Sequence, residues 1–273
     1  MRVRFLVSVL VISSLISCSL KKQQEDNHQT SQHTCVSIRE IFPGAIPFND
    51  YTDSLLFFLY TVHNIPKDKI LLAQSTCSDD ILNTKNSFIN HKVKGPFILG
   101  GLGGLPFTGL TGYNAFAQHV PDRGAALVFI GPHIGYSKQA GWGRIMREGQ
   151  LESTSCCGAT SHVLEKLQRH GILTNKQPEE KDYQEEVIEQ LALKNKDEIL
   201  NSDKPLITFT KLIYKEAERQ ITNMPLRKSN FKFLIFVVGI VINTDPTDPD
   251  YIWVDHMAIY DLESERELRI MEK

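Results

Sequence analysis

Few cysteines, no excess of one charge sign and no long apolar run beyond the N-terminus mark this 273-residue chain. Five cysteines cannot staple a chain of this length, and the odd count leaves at least one unpaired. A disulfide scaffold is therefore excluded. Lys and Arg number 30 against 32 Asp and Glu, a formal net charge of −2. That balance offers no broad positive field, so nucleic acid is not an expected partner. Several chemical signatures are missing too. Gly100-Gly101-Leu102-Gly103-Gly104 is followed by no Lys-Ser or Lys-Thr, and it does not match the dinucleotide fingerprint. The paired signatures of zinc deaminases, the G-x-S-x-G elbow and any C-x-x-C pair are also absent. What remains is an ordinary globular composition, 41% hydrophobic and 23% charged.

The N-terminus reads as a targeting segment. Arg2 and Arg4 precede a mostly apolar run from Phe5 to Ile16. Twelve residues fall short of the roughly 20 that a membrane-spanning helix needs, and they suit a signal peptide. Leu15-Ile16-Ser17-Cys18 resembles a bacterial lipobox, in which the cysteine is lipidated and becomes the new N-terminus. The expected organisation is a lipoprotein signal peptide over 1–17, a polar tether over 18–35 and one folded domain over 36–273. The expected location is the bacterial cell envelope, at the outer membrane or periplasmic face if the source is Gram-negative, with a lipid anchor at Cys18. Cys35, at the tether junction, reads as a spare thiol.

Periodicity in the remainder mixes helices and strands, which predicts an α/β fold. Thr52 to Ile65 is expected to be helical, capped by Thr52 or Asp53, with Leu55, Phe58, Leu59 and Val62 on one face. Lys69 to Gln74 and the continuous apolar run Ala125 to Ile130 read as buried strands. Gly95 to Gly112 reads as a long loop running into a helix that ends at His119. Trp142 to Glu152 suggests a hairpin or short strand. Ser155 is expected to cap a helix with Cys156 and Cys157 in its first turn and Val163, Leu164 and Leu167 buried. Charged and apolar helical patterns cover Pro178 to Lys204 and Leu206 to Thr222. Lys232 to Asn243 and Tyr251 to Leu262 contain no internal proline and read as strands. Within the second of these, strict alternation would place Asp255 and His256 on opposite faces.

Chemistry-bearing residues cluster between Cys77 and Cys157, each at an element boundary. Cys77 and His133 follow strands, and Cys156 and Cys157 begin a helix. In open α/β sheets, sites form beyond the carboxyl ends of strands. Two thiolates and an imidazole leave one tetrahedral position of Zn²⁺ open, and a helix N-terminus favours the thiolate. The same residues also suit buried apolar cysteines and a hydrogen-bonded histidine.

A series of motifs then carries a family resemblance. They are Leu105-Pro106-Phe107-Thr108-Gly109-Leu110-Thr111-Gly112, Ala115-Phe116, His119-Val120-Pro121-Asp122, Gly131-Pro132-His133-Ile134-Gly135 and Cys156-Cys157-Gly158-Ala159. In this order they resemble the limiting-CO2-inducible protein B/C family, which includes theta-class carbonic anhydrases. The resemblance implies a β-carbonic-anhydrase-like sheet flanked by helices, assembled as a homodimer. It implies Zn²⁺ held by Cys77, His133 and a third ligand, Cys157 in preference to Cys156. It implies Asp79 as the carboxylate of an Asp–Arg dyad. The β-class pattern C-x-D-x-R would place the arginine at Ile81, so Arg147 is the candidate, ahead of Arg144 and Arg123. The implied activity is interconversion of CO2 and bicarbonate by zinc-hydroxide attack, with Leu105, Phe107 and Leu110 lining a CO2 pocket or simply packing in the core. The alternative is a catalytically silent, zinc-stabilised module that binds bicarbonate or a partner protein.

Overall fold

The computed structural model describes residues 34–84, 88, 93–169, 171–172, 179–225, 230–264 and 266–271. The lipobox with Cys18 lies outside them, as do His91 and His170. Helix α1 occupies 34–41, followed by β1 (Ile46–Pro47) and α2 (Phe48–His63). Next come β2 (Ile70–Thr76), the short α3 (Ile81–Thr84), β3 (Lys94–Ile98) and α4 (Gly109–His119). Strands β4 (Ala125–Gly131), β5 (His133–Ser137), β6 (Gly141–Trp142), β7 (Arg144–Ile145) and β8 (Thr154–Ser155) lead to α5 (Gly158–Gln168). Helices α6 (Tyr183–Lys194), α7 (Lys196–Leu200) and α8 (Pro205–Thr222) precede β9 (Phe233–Thr244), β10 (Tyr251–Asp261) and β11 (Arg266–Met271).

The apolar runs explain the sheet. Strands β2, β4 and β9 are buried along their whole length, as parallel strands covered on both faces must be. The order is β1-β10-β9-β4-β2-β3, with β3, β2, β4 and β9 parallel and β10 antiparallel to β9. Alternate residues serve two apolar layers. Leu71, Ala73, Ala126, Val128, Leu234 and Phe236 pack with Ile207, Phe209 and Ile213 of α8 and Val163 and Leu167 of α5. Ile70, Leu72, Leu127, Phe129, Ile235 and Val237 pack with Phe48, Leu55, Leu56 and Leu59 of α2. This is an α/β sheet flanked by helices, as expected.

Local expectations fail where tertiary contacts take over. The folded part includes Thr34 and Cys35, which the sequence places in the tether. Both are buried, Thr34 against Asp248 and Cys35 in the core. Helix α2 begins four residues before Thr52, because the Phe48 amide donates to the Asp250 carbonyl and the Phe48 ring is buried. Thr52 lies inside the helix and donates back to the Phe48 carbonyl, while Val62 is exposed. Strand β3 stands where a loop is expected. Among the described residues it pairs only with β2, so it tolerates Gly95 and Pro96, which disguise it in sequence. Gly95 sits at φ +102°, where a side chain would strike the Leu72 carbonyl. Helix α5 starts after both cysteines, with Cys157 as its N-cap. A register shift between Val254 and His256 breaks the alternation in β10. Asp255 and His256 are therefore not held apart, and His256 Nδ1 lies 3.2 Å from Asp255 Oδ2.

Candidate metal centre

The neighbouring strands β2 and β4 end together, Thr76 opposite Gly131. Cys77 follows the first directly, and Pro132 and His133 follow the second. The Gly-rich turn is folded down onto these two ends. The Ser78 amide donates to Gly101 O at 3.2 Å, and Ser75 Oγ donates to Gly104 O at 2.8 Å. A Cβ on Gly100 would lie 2.1 Å from Thr76 O. The segment before α5 runs against β5. Gly135 N donates to Cys156 O at 2.7 Å and Cys156 N donates to Gly143 O at 2.9 Å. A Cβ on Gly135 would meet Cys156 Cβ at 2.8 Å, so glycine permits the close approach. Sequence segments eighty residues apart thereby meet at one sheet end, the position favoured for sites in open α/β sheets.

There Cys77, His133 and Cys157 converge, each buried, with their candidate ligand atoms all within 4.8 Å of one another. The two sulfurs lie 3.6 Å apart. Asp79, His133 and Cys156 form a second, overlapping group that shares the histidine. His133 is 1% exposed, and its Nε2 is a buried polar atom with no hydrogen-bond partner. Asp79 Oδ2 lies 3.8 Å from that atom. Its other nitrogen, Nδ1, is 2.7 Å from Asn243 Oδ1, and Asn243 Nδ2 donates to Asp250 Oδ2 at 2.9 Å. Cys156 Sγ lies on the Nδ1 side, 3.5 Å from that atom.

The electrostatics point the same way. The thiol of Cys157 is held well below its ordinary range, first by the hydrogen bond with Cys77 and then by His133, against the effect of burial. Cys77 is pushed above the ordinary thiol range by the same hydrogen bond and by burial. Burial works against charging His133, but the sulfurs of Cys156 and Cys157 outweigh it and hold the imidazole pKa well above its usual value. Thiolates and a histidine in a set of three with an open side suit Zn²⁺, and the orphaned Nε2, once its proton leaves, would offer the lone pair such an ion needs.

Beside this group, Arg147 holds Asp79. Its Nη2 is 2.8 Å from Asp79 Oδ1 and 2.9 Å from Oδ2. Its Nε lies 3.4 Å from Asp80 Oδ1, and its Nη1 donates to Thr154 Oγ1 and to Ser155 O. Burial alone would raise the Asp79 carboxyl. The side chain of Asp80, hydrogen bonds from Arg147 and the His133 charge instead bring it below its ordinary value. Arg144 points to Ser153 and Arg123 forms an ion pair with Glu263, so neither reaches Asp79.

Of the residues expected to line a CO2 pocket or to pack in the core, Leu105 and Phe107 belong to the apolar layer around α8 and Leu110 is exposed. Cys77, Cys156 and Cys157 belong to the opposite layer, with Phe129 and Ile145. His119 is exposed and engages Ala115 O of its own helix. Sequence reasoning missed Asn243 and Asp250. The available signal was a lone amide directly after the apolar run Phe233 to Ile242, with an acid seven residues on.

An α/β sheet with two cysteines and a histidine gathered at its strand ends defines a candidate metal protein with a carbonic-anhydrase-like fold. The family model for limiting CO2-inducible proteins B/C beta carbonic anhydrases matches residues 45–261, and the chain belongs to that family. The chain is similar to the crystal structure of PtLCIB4, a homolog of the limiting CO2-inducible protein LCIB. The identity is 25% and the TM-score 0.73, over 86% of this chain and 98% of that one. It shares its fold with LCIB itself, at 15% identity and TM-score 0.64 over 91% of this chain and 99% of that one. No curated protein matches the chain.

Proposed function

We propose that this protein is a zinc carbonic anhydrase that interconverts CO2 and bicarbonate. The observation that carries this reading is the pairing of an unpartnered, buried His133 Nε2 with a carboxylate, Asp79, that Arg147 holds beside it. Cys77, His133 and Cys157 would hold the ion. Zinc, when bound, supplies Lewis acidity that makes a water molecule a nucleophile near neutral pH.

The chain's own residues do the rest. Asp79, ionised and therefore only an acceptor, takes a hydrogen bond from the attacking water and turns its lone pair toward CO2. Arg147 keeps Asp79 ionised and spans both of its oxygens, which restrains the carboxylate from turning onto the metal. Thr154, Ser155 and Asp80 in turn fix the guanidinium. The remaining proposals come from the sequence: lipidation at Cys18, a bacterial envelope location and a homodimer. Among the described residues, no helix is long and apolar enough to cross a membrane.

Stopped-flow CO2 hydration with the zinc-loaded protein tests the reading. A rate above buffer that scales with zinc content is expected. A zinc-replete sample indistinguishable from buffer across roughly pH 6.5–9 would overturn catalysis and favour a silent zinc-stabilised module.

A further inference from the structure

We infer that Asn243, oriented by Asp250, is a positioning residue that fixes His133 in the tautomer whose Nε2 lone pair faces the metal position, and so selects Cys157 over Cys156 as its companion. The inference rests on the zinc-site reading above. Each link is forced by donor and acceptor chemistry. Asp250 is 8% exposed, and its carboxylate accepts from Asn243 Nδ2 and from the Thr244 amide, each at 2.9 Å. A carboxylate cannot donate, so the Asn243 NH2 must face it. The Asn243 oxygen is thereby turned toward His133 Nδ1, 2.7 Å away. An oxygen at that distance needs a proton on Nδ1. In neutral His133 the lone pair then sits on Nε2, the atom that has no hydrogen-bond partner among the described residues.

The register of the sheet builds this arrangement. His133 is opposite Val241 on the neighbouring parallel strand, and Gly135 is opposite Asn243. Asn243 is therefore diagonal to His133 and on the same face. Gly135 presents no side chain beside it, and Cys156 occupies that room, with Sγ 3.7 Å from Asn243 Oδ1. Cys156 thus sits against the protonated edge of the imidazole. Cys77 and Cys157 form the group of three with His133 from which Cys156 is left out. Partners of this kind on the far nitrogen of a ligand histidine are worth about 10- to 100-fold in metal affinity.

The test compares wild type with Asn243→Leu, Asp250→Asn and the exchanged pair Asn243→Asp with Asp250→Asn. Zinc affinity is read by competition with a chromogenic chelator, and the His133 tautomer by the ¹⁵N shifts of its imidazole in the zinc-loaded protein. Thermal melts confirm that each variant is folded. Asn243→Leu should weaken zinc binding about 10- to 100-fold. The exchanged pair should recover most of the loss, because an acceptor again faces Nδ1 and a donor again joins the two side chains. Wild type should show Nδ1 protonated. Unchanged affinity in folded Asn243→Leu, or a wild-type imidazole protonated at Nε2, would overturn the inference while leaving the metal site intact. If Asn243→Leu does not fold, failure of the exchanged pair to bind near wild-type affinity overturns it. A wild type that binds no zinc would instead overturn the metal-site reading itself.

Discussion

Arg147 reaches back 68 residues to hold Asp79, with one nitrogen, Nη2, 2.8 and 2.9 Å from the two carboxylate oxygens. The β-class pattern would bring an arginine from within the same turn, at the position Ile81 occupies. Here Ile81 is buried, and the loop after β7 supplies the charge from across the site. The carboxylate is thus fixed by a segment that leads through β8 to Cys156 and Cys157.

The first prediction concerns the ligands. About one zinc per chain is expected. Cys77→Ser should abolish stable loading, because a hydroxyl is a far poorer ligand than a thiolate. Cys156→Ser should retain the metal. Elemental analysis of gel-filtered protein checks both, and zinc lost from Cys156→Ser but kept in Cys157→Ser would reverse the assignment.

The dyad gives the second. Asp79→Asn should keep zinc and lose about 10²–10⁴-fold in hydration rate, since the amide offers a donor where an acceptor is needed. Arg147→Ala should approach the same loss. Asp79 titrates below its ordinary value of 3.8, so it is ionised at neutral pH. The rate of wild type should therefore show no inflection from Asp79 between roughly pH 6.5 and 9. Full activity in zinc-loaded Asp79→Asn would remove the dyad from the mechanism.

A third prediction concerns the anchor. Lipidation at Cys18 gives stable membrane attachment only with two or more acyl chains. Cys18→Ser should move the protein from the membrane fraction to the soluble one. Continued sedimentation with membranes after a salt wash would point to another anchor.

The turn against β2 gives a fourth. Gly100→Ala would drive a methyl to 2.1 Å from the Thr76 carbonyl, and the backbone would have to shift. A loss of about 1–3 kcal/mol is expected, the usual cost of overpacking, together with weaker zinc binding because Thr76 precedes Cys77. Urea melts with and without zinc read the two effects separately. A wild-type melting curve would contradict this packing.

The last prediction concerns pH and the helix that Cys157 caps. Lys166 of α5 pairs with Glu185 and with Glu189 of α6, the latter at 2.6 Å. Burial would raise Glu185, but Lys166 and His162 outweigh it and bring its pKa below 4.5. A depressed carboxyl stabilises the fold above its unfolded pKa and loses that contribution as pH falls through the folded one. Lys166→Met should therefore cost up to about 1 kcal/mol at pH 7, a modest value for a partly exposed pair. The difference from wild type should shrink below pH 4.5. Denaturant midpoints at pH 7 and pH 3 check the sign, and a constant difference would assign the effect to packing alone.

Much of the fold was legible in the chain itself. Runs such as Ala125 to Ile130 and Phe233 to Ile242 can be buried only inside a sheet covered on both faces, so the class follows from them. The members of the candidate metal group and Asp79 stand out in the chain too, because thiol, imidazole and carboxylate lie at element boundaries beside motifs of a known family. Tertiary structure decided what depends on distance across the sheet. Thr34 and Cys35 are part of the fold because partners some two hundred residues away bury the helix they begin. Strand β3 exists because β2 offers it a free edge, and the helix start at Phe48 depends on the Asp250 carbonyl. That Asn243 faces His133 depends on the register of β5 against β9, a matter of two residues in pairing. The choice of Arg147 over Arg144 depends on the loop after β7, which brings Arg147 to Asp79 while Arg144, on the strand, bonds to Ser153. Local propensity carries no information about such pairings, since they are set by which side chains packing brings within about 3 Å.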